Sequence, residues 1–93
     1  IAVEHGDEDV EIYLHRGITQ INLFSYKKAK SDLSIFIENV SDSHPNYAHA
    51  LNNRGLSFFF MKQVDEACID WSHSYSIEND DDTMTYINKH CLN

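Results

Sequence analysis

The chain has little of what breaks or braces a fold. It holds 3 Gly and 1 Pro among 93 residues. So few punctuators leave little room for the many turns of an all-β fold and favour helices. Two Cys are too few for a disulfide framework, and a pair of free thiols suits a reducing compartment such as the cytoplasm. Basic residues are also scarce: 7 Lys and Arg stand against 15 Asp and Glu, for a net charge of −8. Nucleic-acid binding needs a basic face, so this balance argues against it. No apolar run approaches the ~20 residues of a membrane span; the longest, "LSFFFM", is short and contains a Ser. The first residue is Ile1 rather than Met, which reads as a fragment or a processed product.

What is present points to one small folded domain. Hydrophobic residues make up 42% and aromatics 12%, which sets the chain apart from disordered sequences. Its core is modest, because a chain of this length buries only roughly 60–65% of its unfolded surface.

The main signal is an internal echo. Residues 16–37, "RGITQINLFSYKKAKSDLSIFI", align with residues 54–75, "RGLSFFFMKQVDEACIDWSHSY", at an offset of 38. Arg16 meets Arg54, Gly17 meets Gly55, Ala29 meets Ala67, Asp32 meets Asp70 and Ser34 meets Ser72. Ile18/Leu56, Ile21/Phe59, Tyr26/Val64 and Leu33/Trp71 are apolar in both copies. Two copies at such a period predict stacked helical units. Apolar residues at Tyr26, Ala29, Leu33, Phe36 and Ile37 fall on one face of an α-helix, and Val64, Ala67, Trp71 and Tyr75 repeat that face. An earlier helix precedes each, with Tyr13, Gly17 and Ile21 in one copy and Leu51, Gly55 and Phe59 in the other. Gly costs about 1 kcal/mol inside a helix. Its return at the same phase predicts a crossing too close for a β-carbon.

Cap signals divide the chain. Asp7 in "GDEDVE" is placed at or near an N-cap, Pro45 in "SDSHPNY" near a first helical position, and "ENDDDT" before a short last helix. Five helices are expected, at about 7–22, 26–39, 45–61, 64–77 and 81–91.

These residues resemble the tetratricopeptide repeat. That family has a small residue in its first helix, a large apolar residue opening the second, and Ala three positions later. Gly17 and Gly55 match the first position, Tyr26 and Val64 the second, Ala29 and Ala67 the third; each Gly precedes its Ala by 12 residues, as in the family. "RGL", "DEACIDW" and "YINKHC" look like the last repeat and closing helix of bacterial members. The period is 38 rather than 34, Phe36 stands where Ala is common, and the Pro that closes a repeat is missing from both copies.

The resemblance implies an all-α fold over residues 1–93: two antiparallel helix hairpins, at about 7–40 and 45–78, and a C-terminal capping helix at about 81–91. It also implies a non-catalytic protein–protein interaction module that holds a peptide or partner segment in the groove of the first helices. The matching groove positions are Glu11, Leu14, Ile18, Ile21 and Asn22, then His49, Asn52, Leu56, Phe59 and Phe60. Leu14 and Ile18 form an apolar patch on one side of a helix that already has core residues, Tyr13 and Gly17, on the other. Packing within the domain or against another repeat, and homodimerisation through Leu14, Ile18 and Phe60, are the alternatives, together with a spacer role in a longer array. A subclass of the family clamps a C-terminal carboxylate with Lys and Asn. Leu14 and Ile18 occupy those positions here, so that chemistry is absent, although Asn52 could donate to a peptide backbone.

Other candidate sites read as structure. Cys68 is flanked by Asp65, Glu66 and Asp70, which would raise a thiol pKa, and it reads as a small buried packing residue. Cys91 comes near it if the closing helix packs back, and a disulfide is then the alternative. The histidines lack metal-binding spacing. The acidic runs lack the Gly and terminal Glu of a calcium loop. The one basic cluster, "YKKAK", places Lys27 and Lys28 where the second copy has Asp65 and Glu66, which predicts attraction between stacked units; a phosphate or acidic-ligand patch is the sharper reading. No nucleophile, base and oxyanion donors assemble, so no enzymatic activity and no cofactor are expected.

Overall fold

The computed structural model describes residues 9–91, and the expected cap at Asp7 lies outside them. The described residues form five α-helices and no strand. They are α1 (Glu11–Asn22), α2 (Tyr26–Glu38), α3 (Tyr47–Phe60), α4 (Val64–Ile77) and α5 (Asp81–His90). Each helix packs on the next in the chain. Three residues join α1 to α2, and three join α3 to α4. Connections that short force antiparallel neighbours, so each pair is a hairpin.

The two hairpins turn by the same hydrogen bonds. In the first, Ser25 N–H donates to the Gln20 carbonyl and Phe24 N–H to that of Ile21; in the second, Gln63 N–H donates to Phe58 and Lys62 N–H to Phe59. This is the helix-ending motif in which one residue adopts the left-handed conformation, usually Gly. Here Phe24 (φ 62°) and Lys62 (φ 69°) adopt it, 38 positions apart like the aligned sequences. A side chain in that region costs on the order of 1 kcal/mol. Lys62 is exposed. Lys62→Gly is therefore expected to raise the unfolding free energy by about 1 kcal/mol, read by chemical denaturation.

The glycines mark the tightest crossings. A β-carbon on Gly17 would lie 2.7 Å from Leu33 Cγ, and one on Gly55 would lie 2.6 Å from Trp71 Nε1. Leu33 and Trp71 are themselves equivalent positions. The leucine can swing away, but the indole is rigid and fully buried. Gly55→Ala is expected to cost about 1–2 kcal/mol net, overpacking outweighing the gain in helix propensity. Gly17→Ala should cost less, and thermal melts of the two variants compare them directly.

An Arg–Asp pair locks each hairpin. Arg16 reaches Asp32 through Nε (2.7 Å) and Nη2 (2.9 Å), and Arg54 reaches Asp70 through the same atoms at the same distances. Arg54 also donates to Ser34 Oγ at 3.1 Å, which ties the second hairpin to α2.

The core that joins the hairpins holds Leu14, Leu33, Phe36, Ile37, Ala50 and Leu51, with Ile18, Ile21 and Tyr13 packed at its edge. This corrects the reading of α1. Leu14, placed on the groove with packing inside the domain as the alternative, is packed inside at 2% exposed, and Tyr13, expected in the core, lies at the rim. Leu14, Gly17, Ile18 and Ile21 form a single stripe at helical spacing, covered by α2 and α3 together. The third helix starts at Tyr47 with Asn46 as its cap, two residues beyond Pro45. The last helix is capped as its sequence suggests: Asp80 accepts from Thr83 N–H at 3.1 Å.

Candidate functional site

The first helices expected to line the groove are α1 and α3, and α5 continues their row. Asn52 of α3 donates from Nδ2 to Thr83 Oγ1 of α5. Two turns further along both helices, the rings of Phe59 and His90 lie 4.3 Å apart. Matching advances on both helices mean that α3 and α5 run parallel, with Trp71 of α4 closed in behind them. The Trp71 ring lies 5.8 Å from Phe59, 5.2 Å from Tyr86 and 6.1 Å from His90, and its indole N–H donates to the Asn52 carbonyl at 3.3 Å.

Between α3 and α5 the surface has two neighbouring hollows of different chemistry. At the C-terminal end of both helices, Leu56, Phe59, Phe60, Tyr86, Lys89 and His90 surround about 190 Å³, floored by Trp71. At the N-terminal end, a cleft of about 340 Å³ is lined by His49, Asn52 and Asn53 on one side and by Glu78, Asp80 and Asp82 on the other. Leu56 and Tyr86 border both. Among the described residues, no Lys, Arg or His forms an ion pair with those three carboxylates.

The expected groove residues therefore divide. His49, Leu56, Phe59 and Phe60 line this face, and Phe60 is 47% exposed and stacked on Tyr26 at 4.8 Å. Asn52 also lines it, but one of its N–H groups is already held by Thr83, so it ties α3 to α5. Glu11 lies 3.4 Å from His44 and braces α1 against the loop before α3. Ile18 packs on the core, Leu14 is inside it, and Asn22 is exposed at the end of α1. Tyr86 is not among the expected groove residues, because α5 lies outside the repeat alignment; Glu78, Asp80 and Asp82 read in the sequence only as cap signals around the start of α5.

Cys68 is not a packing thiol. It is bonded to Cys91, with the two Cα atoms 5.7 Å apart, so the bond fixes the C-terminal end of α5 to α4. No attraction of the kind expected between Lys27/Lys28 and Asp65/Glu66 forms; all four are exposed, with no ion pair between them among the described residues. The cleft beside Lys27 and Lys28 includes Arg16, whose guanidinium is already taken by Asp32. That bond raises the Arg16 pKa above its ordinary value.

No protein-family model, curated protein or solved structure matches this chain.

Proposed function

We propose that this chain is a tetratricopeptide-like helical repeat module that binds a protein segment, without catalysis, on the face formed by α3 and α5. Two hairpins with equivalent glycines, Arg–Asp locks and left-handed turn residues support the repeat reading. The observation that carries the binding reading is the aromatic hollow bordered by Leu56, Phe59, Phe60 and Tyr86. An apolar depression between two neighbouring helices is where a partner side chain gains most from burial. The groove is short, so a lone copy binds weakly and gains from longer arrays.

Selection from a random-peptide library, followed by amide chemical-shift mapping of the selected peptides, tests this. Perturbations concentrated on α3 and α5, abolished by Leu56→Asp, are the expected result. Peptides that map elsewhere, or no selected peptide at all, would contradict it.

A second reading, self-association, is favoured by one observation. Leu23 and Phe24 are 67% and 78% exposed at the α1–α2 turn, and Phe24 lies against Tyr26, which stacks on Phe60. The surface differs from one built on Leu14, which is buried. Sedimentation across a concentration series separates the readings: a dimer that Phe24→Ser dissolves supports this one, and a monomer at every concentration removes it.

A further inference from the structure

We infer that the segment bound on the α3–α5 face carries one aromatic or branched aliphatic anchor and, a few residues away, lysine or arginine. This rests on the reading of that face as a protein-binding site and names the chemistry of its partner. The aromatic hollow measures about 190 Å³. Apolar cavities of about 150 Å³ accept a benzene ring, so there is room for one large side chain. The adjoining cleft presents Glu78, Asp80 and Asp82, all exposed and none in an ion pair among the described residues. Asp80 accepts both Thr83 bonds through one carboxylate oxygen, Oδ2, and lines the cleft.

The two ends also set a direction. Lys89 borders the aromatic hollow, so a cation is disfavoured there and favoured at the other end. Asp82, Tyr86 and His90 follow one another at single-turn spacing on α5. From the acid to the middle of the aromatic end is therefore roughly 9 Å, which an extended chain covers in about three residues. The partner's anchor and its cation should be separated by that spacing. The net charge of −8 adds a longer-range attraction for such a segment.

The test uses the oxidised protein and three synthetic peptides followed by fluorescence anisotropy. One places Phe about three residues from a Lys pair, the second replaces the Lys pair with Glu, and the third replaces Phe with Ser. The lysine peptide is expected to bind roughly tenfold more tightly than the glutamate peptide at low salt, from exposed charge contacts. That ratio should shrink toward unity at about 1 M salt. Glu78→Lys should narrow it too, and Glu78→Gln, which adds no cation, should do so by a smaller factor. Loss of binding by the Ser peptide places the anchor. Equal binding of the Lys and Glu peptides, both abolished by Leu56→Asp, would overturn the charge inference and leave the binding face standing. No binding by any of the three would overturn the inference, while library-selected peptides of other chemistry on the same face would show that the face itself survives.

Discussion

Arg54→Ala is expected to lower the unfolding free energy by about 3 kcal/mol, and Arg16→Ala by about 1 kcal/mol. The two arginines hold their aspartates by the same two bonds. Their difference is solvent. The Arg54 side chain is 20% exposed and that of Arg16 54%. Removing Arg54 strands the carboxylate of Asp70 in the interior, where water cannot replace the lost donors. It also releases Ser34 and with it a link between the hairpins. Asp70 raises the Arg54 pKa by its hydrogen bond, against the opposing pull of burial. A raised folded-state value stabilises at every pH below the unfolded one and fades only as pH rises through the folded one. For a group this basic, the window lies above any working pH, so Arg54 itself stays charged throughout. Removing both partners, Arg54→Ala with Asp70→Ala, should recover part of the loss, since no buried charge then remains. Urea denaturation of the two singles and the double measures this. Equal losses for Arg16→Ala and Arg54→Ala would show that burial does not set the scale.

Breaking the Cys68–Cys91 bond, by reductant or by Cys91→Ser, is expected to cost about 3 kcal/mol. The bond closes a loop across a sequence separation of 23, and the chain-entropy relation for a loop of that size gives roughly 3.4 kcal/mol. In a domain of this length that lowers Tm by roughly 15–20 °C. The effect should be concentrated in α5, which has 10 residues, fewer than the ~12–15 an isolated helix needs. It packs mainly on α4, and the bond anchors its last turn. As α5 loosens, Tyr86 and His90 leave Trp71, the only tryptophan. Reduction should therefore shift the fluorescence to the red before global unfolding. An unchanged spectrum and Tm in reductant would show that α5 is held by packing alone. Because a disulfide persists only where conditions are oxidising, the α3–α5 face is expected to loosen on reduction, in step with that spectral shift.

The parts of this molecule that rest on local pattern were legible in the sequence. The bounds of α4 and the start of α5 follow from cap residues and periodicity, and the offset of 38 located Gly17, Gly55, Arg16, Arg54, Asp32 and Asp70 as equivalents before their contacts were known. What was not legible depends on which neighbours cover a helix. Leu14 reads as either groove or core because its stripe is divided between two faces, and only the joint packing of α2 and α3 on α1 decides for the core. Cys68 read as packing because nothing local says where Cys91 lies; docking of α5 decides it. The aromatic hollow is likewise built from α3 and α5, which periodicity within either helix cannot bring together.

Two equivalent helical hairpins, each crossing at its glycine, account for the echo at 38 residues. Nuclear Overhauser contacts from the α-protons of the two glycines probe both crossings in one experiment. Contacts from Gly55 to the Trp71 indole and from Gly17 to the Leu33 methyls are expected, with helical carbon shifts at both glycines. Extended-strand shifts at either glycine, or a contact present in one hairpin and missing in the other, would contradict it.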